Sequence, residues 1–135
     1  MSKLPPLRTE LKTFFRLENA AWPVFDLILL GLGEDGHTAS LFPATTVLDE
    51  AKRFVAAIYV AKLRSYRLTL TLPVINAARQ VTFLVSGTSK AKIVGEILGP
   101  GGASLEYPAA KIRPSEGHLT WMIDADAAKE LEGTA

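Results

Sequence analysis

The chain has 135 residues, 48% of them hydrophobic, which is enough apolar material for one domain with a buried core. Fifteen lysines and arginines against fourteen acidic residues leave a formal net charge of +1. Because the basic residues are scattered along the chain, composition gives no electrostatic case for nucleic-acid binding. The absence of cysteine excludes disulfides, thiolate catalysis and cysteine-ligated metal.

Neither a membrane span nor a secretory signal is predicted. The longest apolar run, Val24 to Leu32, contains Asp26 and is too short to cross a bilayer. The first six residues, MSKLPP, lack the apolar core of a secretory signal peptide. We therefore expect a cytoplasmic protein that does not associate with membranes.

Strands alternating with helices predict a layered α/β fold with a mostly parallel, Rossmann-like sheet. The predicted strands cover residues 25–30, 54–60, 66–72, 80–85 and 118–123. The predicted helices cover residues 8–17, 38–42, 47–53, 74–78, 88–98 and 124–131, with an interruption at 19–23. Thr88 or Ser89 would cap the fifth of these helices and Asp124 the last. The strands at 54–60 and 66–72 are expected to pair as neighbours.

The first predicted strand runs into a glycine turn that carries an acid and a histidine, Gly31-Leu-Gly-Glu-Asp-Gly-His37. Its Gly-x-Gly-x-x-Gly spacing superficially matches a dinucleotide-binding fingerprint. That fingerprint opens a long helix and is followed about twenty residues later by an acid at the end of a second strand. Here Pro43 interrupts the helix and residues 54–60 contain no acid, so the sequence disfavours a nicotinamide or flavin site.

Asp35 and His37 are candidate catalytic residues. A histidine two residues from an aspartate, held at a strand end, can act as a general base while the carboxylate orients the imidazole or stabilises its charge. Gly33 and Gly36 would let the backbone turn tightly and approach a ligand closely. The alternative is that Asp35 and His37 are ordinary polar loop residues.

A second turn, Ser86-Gly87-Thr-Ser-Lys90, is a candidate phosphate site. It offers backbone N–H groups at the start of a helix together with an ammonium, although the spacing of a P-loop is absent. Arg67, at the start of a predicted strand, is a further candidate cation. The alternative is that Lys90 and Arg67 are ordinary surface charges, as most lysines and arginines are. The two histidines lie far apart and there is no cysteine, so no metal constellation is predicted.

Taken together, four blocks in order resemble the 6-phosphogluconolactonase family, which shares a superfamily with the glucosamine-6-phosphate deaminases. The blocks cover the chain from about residue 8 to its end. They are Phe25-Asp-Leu leading into Gly31 to Pro43, Arg67-Leu-Thr-Leu-Thr-Leu-Pro73 followed by Asn76-Ala-Ala-Arg79, Ser86-Gly-Thr-Ser-Lys-Ala91, and Pro108 to Pro114 before Leu119-Thr-Trp121.

The resemblance implies an enzyme that hydrolyses 6-phosphogluconolactone to 6-phosphogluconate, in the oxidative pentose phosphate pathway, without a metal or organic cofactor. It implies that His37 is the general base and that Asp35 supports it. It also implies that Lys90 and Arg67 hold the substrate phosphate, near Gly33, Gly36, Ser86 and Gly87. The deaminase branch is the alternative, but its Asn-Glu-Pro is Leu41-Phe42-Pro43 here, without the acid.

The resemblance further implies that residues 1–135 form a single partial domain, the carboxy-terminal half of the family fold. Family members are about twice this length, and their amino-terminal half holds a serine- and glycine-rich phosphate loop. A sheet truncated in this way exposes apolar surface, so we expect a homodimer or a higher homo-oligomer. A non-catalytic remnant that binds a sugar phosphate and a gene-prediction artefact are the remaining alternatives.

Overall fold

The structure is a computed structural model that describes residues 6–18 and 21–132. The first two residues of the predicted interruption at 19–23 lie outside this range. Within it, the chain forms five strands and four α-helices. The strands are β1 (Ile28–Leu30), β2 (Val55–Val60), β3 (Ser65–Leu70), β4 (Gln80–Val85) and β5 (His118–Ile123). The helices are α1 (Leu7–Phe14), α2 (Leu72–Asn76), α3 (Ala91–Leu98) and α4 (Lys129–Glu132).

The predicted parallel sheet is present and contains three strands. Strand β4 lies at its centre, with β1 and β5 pairing parallel to it on either side. Strand β4 alternates so that Val81, Phe83 and Val85 face the core, where Phe83 is completely buried and stacks on Trp121 of β5 at a ring-centroid distance of 3.9 Å. Apolar residues of α2 and α3 join the same hydrophobic cluster, so helices flank the sheet as predicted.

The predicted pairing of the two middle strands is confirmed. Strands β2 and β3 form a separate antiparallel hairpin in which Ile58 lies opposite Arg67 and Ala56 opposite Thr69. The short helical turn Ala61–Leu63 connects them, and Arg64 closes the connection with a left-handed φ of 50°. The hairpin is therefore an addition to the parallel sheet and not an extension of it.

The other face of the parallel sheet is largely uncovered by the described residues. Leu29 of β1, Leu84 of β4 and Met122 of β5 point to this face, as the strand register shows, and their exposed fractions are 57%, 49% and 58%. Apolar side chains on a parallel sheet are normally covered on both faces. We call Leu29, Leu84 and Met122 the exposed sheet face.

Several predicted helices differ from the structure. Residues 38–42 form no helix, because Ala39 takes a left-handed φ of 51° and Thr38 pairs with Leu41 across a tight turn. The predicted helix at 47–53 is replaced by a single 3-10 turn, Thr46–Asp49, which covers only its first three residues. The prediction that Thr88 or Ser89 caps α3 is also wrong, since both lie in a 3-10 turn, Thr88–Lys90, that precedes the helix.

Asp124 does cap the segment after β5, although that segment is α-helical only from Lys129 onward. One carboxylate oxygen of Asp124, Oδ1, accepts a hydrogen bond from the backbone N–H of Ala127 at 2.9 Å. The intervening residues form turns. The predicted cap is thus present, and the helix is shorter than predicted.

Candidate active site

The glycine turn after β1 is a loop that closes on itself at the carboxyl end of the sheet. The N–H of Gly33 donates to the carbonyl of His37 at 2.8 Å, and the N–H of Gly36 donates to the carbonyl of Gly33 at 2.9 Å. The hydroxyl of Thr38, which is buried, donates to the carbonyl of Gly31 at 2.7 Å. These three hydrogen bonds pair polar backbone groups of the loop and fix the position of His37 in it.

His37 and Asp35 form a close pair. The distance from His37 Nδ1 to Asp35 Oδ1 is 2.6 Å, and the backbone N–H of His37 donates to the same oxygen at 3.0 Å. An ionised carboxylate only accepts hydrogen bonds, so the neutral imidazole carries its proton on Nδ1. The lone pair of Nε2 is then available, and the side chain is 30% exposed, so this nitrogen can accept a proton from a small molecule.

The surroundings of Asp35 keep it ionised. Partial burial opposes the charge, but hydrogen bonds from Lys62 and His37 outweigh it and hold the pKa of Asp35 well below its usual range. The second carboxylate oxygen, Oδ2, lies 2.6 Å from Lys62 Nζ. Asp35 is therefore an acceptor at neutral pH for both of its partners.

Asp35→Asn is expected to make the stability of the fold less sensitive to acid. Because the pKa of Asp35 is lowered in the folded state, its stabilisation is complete above the unfolded value of about 3.9 and is lost as the pH falls below it. For a pair this exposed we expect roughly 1 kcal/mol. Urea unfolding measures the difference in the free energy of unfolding between the wild type and Asp35→Asn. This difference should be smaller at pH 3 than at pH 7. Asp49→Asn, at an exposed site, is the control. If the free energy of unfolding of Asp35→Asn differed from that of the wild type by the same amount at both pH values, the stabilising role of the Asp35 carboxylate would be contradicted.

Two glycines are required by the packing of the loop. A Cβ on Gly33 would overlap the His37 ring, so the imidazole lies directly against the glycine backbone. Gly36 has a left-handed φ of 84° and packs on Tyr107, whose hydroxyl donates to Glu96 of α3 at 2.5 Å. Both glycines thus shape the loop that carries His37. Their predicted close approach to a ligand remains a prediction.

Phe42 packs against the His37 ring on its other side. Its ring stacks on His37 at a centroid distance of 4.4 Å and an interplanar angle of 23°. Phe42 is buried because the preceding Leu41, with an exposed fraction of 0%, anchors the tight turn in the core. The imidazole is therefore held between the glycine backbone and an aromatic face.

The structure brings Lys90 to the same loop as His37. Lys90 Nζ donates to the carbonyl of Leu32 at 2.6 Å, linking the turn after β4 to the loop after β1. The ammonium has three donors, so two remain for a ligand. Adjacent parallel strands bring their carboxyl ends to one edge of the sheet, which explains why these two turns meet.

The remaining predicted phosphate residues lie in different surroundings. The N–H of Gly87 donates to the carboxylate of Asp124 at 3.2 and 3.3 Å, so this amide already has an anionic partner, while Ser86 is exposed. Arg67 is also exposed, and its side chain has no hydrogen bond or ion pair with the residues that the structure describes. It shares a strand face with Thr69, whose Oγ1 accepts the N–H of Ser40 at 3.2 Å. That contact turns the face of Arg67 toward the loop that carries His37.

Lys62 is the site residue that sequence reasoning missed. It lies in the connection between β2 and β3, 27 positions from Asp35, and its Nζ lies 5.1 Å from the centroid of Phe42. No periodicity or motif marks it. The sequence signal available for it was its place in the short connection between two strands that were predicted to pair.

Other kinds of site find no support in the described part of the chain. Within residues 6–18 and 21–132, no three histidine or acidic side chains are grouped so that they could hold a metal ion. No helix in those residues is long and apolar enough to cross a bilayer.

Fold and site together define an α/β protein with an imidazole–carboxylate pair and a lysine at the carboxyl end of a parallel sheet. The sequence profile of the family described as glucosamine-6-phosphate isomerases/6-phosphogluconolactonase matches residues 5–121. The chain belongs to this family.

Relatives and solved structures agree with this assignment. The 6-phosphogluconolactonase of Synechocystis sp. (strain PCC 6803) is 49% identical over 122 residues, covering 90% of this chain and 50% of that protein. The crystal structure of the devB protein superposes with a TM-score of 0.83 at 39% identity, over 92% of this chain and 51% of the other. The structure of the 6-phosphogluconolactonase from Trypanosoma brucei superposes with a TM-score of 0.78 at 30% identity, over 93% of this chain and 51% of the other. The chain spans about half the length of the curated relatives it matches.

Proposed function

We propose that this chain contributes the catalytic histidine of a lactone hydrolase that converts 6-phosphogluconolactone to 6-phosphogluconate. The observation that carries the proposal is the 2.6 Å contact between His37 Nδ1 and Asp35 Oδ1, which leaves Nε2 as a base. The names of the relatives at up to 49% identity support the choice of substrate. We further propose that residues 1–135 are the carboxy-terminal half of such a domain.

In the proposed reaction, Nε2 of His37 takes a proton from water as the water oxygen bonds to the lactone carbonyl carbon. The tetrahedral intermediate then collapses, breaking the bond between that carbon and the ring oxygen. The imidazolium returns its proton to the departing ring oxygen. One water is consumed, and the carboxylic acid product loses its proton to solvent at neutral pH. Asp35 stabilises the imidazolium between the two proton transfers.

Lys90 and Arg67 are proposed to hold the phosphate. Lys90 has two spare donors beside the histidine loop, and the Arg67 guanidinium has no hydrogen bond or ion pair with the described residues. Holding the far end of the substrate fixes the carbonyl near the base. Because Gly87 already donates to Asp124, these two side chains, and not the turn at Ser86 and Gly87, carry most of the proposed phosphate binding.

A panel of substrates tests the proposal. Turnover of 6-phosphogluconolactone above its spontaneous hydrolysis, with much weaker turnover of the unphosphorylated lactone, is expected. Glucosamine-6-phosphate should not be deaminated, because Phe42 stacks on His37 where the deaminase pattern has an acid. Binding of 6-phosphogluconate without any turnover, measured by calorimetry, would instead favour the non-catalytic alternative. Deamination would contradict the proposed reaction.

We also propose a homodimer or higher homo-oligomer in the cytoplasm. The exposed sheet face carries three large apolar side chains that water disfavours, and burying them against a second copy is favourable. A chain without cysteine suits a reducing compartment.

Met122→Lys is expected to weaken this association about tenfold or more, because it places a charge within an apolar contact. Sedimentation velocity over a concentration series measures it. Leu68→Lys is a matched control, since Leu68 is a 70% exposed apolar residue on the separate hairpin. A wild-type chain that stays monomeric throughout the series contradicts the proposal.

A further inference from the structure

The candidate base and the three side chains around it form a closed ring of contacts. Lys62 Nζ lies 2.6 Å from Asp35 Oδ2, and Asp35 Oδ1 lies 2.6 Å from His37 Nδ1. His37 stacks on Phe42, and the ammonium of Lys62 lies over the ring of Phe42. Each member therefore touches two others, and three of them come from one loop while Lys62 comes from the hairpin.

We propose that Lys62 is a positioning residue for His37, acting through Asp35. By holding Oδ2, Lys62 fixes the rotation of the carboxylate so that Oδ1 faces Nδ1. This selects the imidazole tautomer whose Nε2 is free to accept a proton. The inference rests on the proposed function of His37 but concerns the arrangement of the pair, which is measurable without substrate.

The local backbone supports a dedicated role for this lysine. The Ala61–Leu63 turn is closed by the N–H of Arg64, which donates to the carbonyl of Ala61 at 3.1 Å, with Arg64 in a left-handed conformation. Left-handed backbone is costly for a residue with a side chain. The turn nevertheless adopts it, and so it presents Lys62 to the loop after β1.

Stability alone does not account for the contact. The side chain of Lys62 is 56% exposed and that of Asp35 is 33% exposed. Ion pairs this exposed contribute little to the free energy of folding. The contact is therefore expected to matter for the orientation of Asp35 and His37 far more than for folding, which separates a positioning role from a structural one.

The test combines spectroscopy and kinetics on the whole chain. The chain has two histidines, so its imidazole nitrogen-15 spectrum is simple and His37→Gln assigns the signals. In the wild type, His37 should be protonated at Nδ1. In Lys62→Ala the two tautomers should become mixed while the melting temperature hardly changes, and Lys62→Arg should restore most of the wild-type spectrum. Lys129→Ala, at an exposed lysine on α4, should leave the spectrum unchanged.

With 6-phosphogluconolactone, Lys62→Ala should lower kcat about tenfold and leave KM nearly unchanged, the effect expected for losing one hydrogen bond to a charged group. A rise in KM at constant kcat would show that Lys62 binds substrate and would overturn the positioning role. An unchanged tautomer in Lys62→Ala would overturn it as well. If the wild-type chain showed no turnover, the proposed function would fail, and the spectra would still decide the role of Lys62.

Discussion

Replacing His37 by glutamine is expected to lower kcat for 6-phosphogluconolactone roughly 10²–10⁴-fold, the range typical of a lost general base. Glutamine keeps the approximate size of the side chain but has no atom that accepts a proton near neutral pH. Since the imidazole is 30% exposed and lies at the end of a loop, the fold should tolerate the change. Initial rates, corrected for spontaneous hydrolysis, measure the effect.

His118→Gln is the matched control for this variant. His118 is the other histidine of the chain and lies exposed at the start of β5. The His118→Gln variant should retain wild-type rates, because His118 lies at the amino end of β5 and the candidate base lies at the carboxyl end of the sheet. Equal loss of activity in both variants would indicate that general destabilisation, and not the chemistry of His37, explains the effect.

Gly33→Ala is expected to disable the site nearly as completely as removal of the histidine. The added Cβ would occupy the space of the His37 ring, so the imidazole must swing away from Asp35. The ring also loses its stacking on Phe42 in that position. We expect a fall in kcat of about 10²-fold or more, because both the orientation and the charge stabilisation of the base are lost.

Gly31→Ala provides the control, as its added Cβ would meet no atom within 4 Å. Both substitutions remove a glycine from the same loop, so they share any effect on backbone entropy. Activity and the His37 imidazole spectrum should be preserved in Gly31→Ala and altered in Gly33→Ala. A fully active Gly33→Ala protein would show that His37 does not need to lie against Gly33 and Asp35 to act as the base.

The strands were predictable because their signals are local and strong. The alternation of Val81, Phe83 and Val85 needs only the two-residue period of a strand to reveal a buried face. Arg67 to Leu72 alternates in the same way, and β3 lies there with its hairpin partner. The parallel pairing was predictable from strands separated by helices, whereas the strand order, with β4 between β1 and β5, came only from the structure.

The segment at 38–42 shows where local reasoning fails. Its composition suits a helical turn, yet Thr38 uses its hydroxyl to bind the carbonyl of Gly31 and Leu41 is drawn into the core. Tertiary contacts therefore override the helical preference and force Ala39 into a left-handed conformation. The same turn places Phe42 against His37. The segment whose helix prediction was wrong is therefore one that shapes the site.

The site was partly predictable for a similar reason. Asp35 and His37 are two residues apart, and their pairing follows from the sequence once they are placed in a tight turn. Lys62 is 27 positions from Asp35, and only the docking of the hairpin brings the two together. The partner of Gly87 was equally hidden, because Asp124 reaches it from the end of the neighbouring strand.

The proposed role of His37 as the base in lactone hydrolysis can be tested by following 6-phosphogluconolactone in the presence of the 135-residue chain, of its His37→Gln variant and of buffer alone. We expect the lactone to disappear faster with the wild-type chain than in buffer, and the variant to lose nearly all of this excess rate. Equal rates in all three samples would contradict this role.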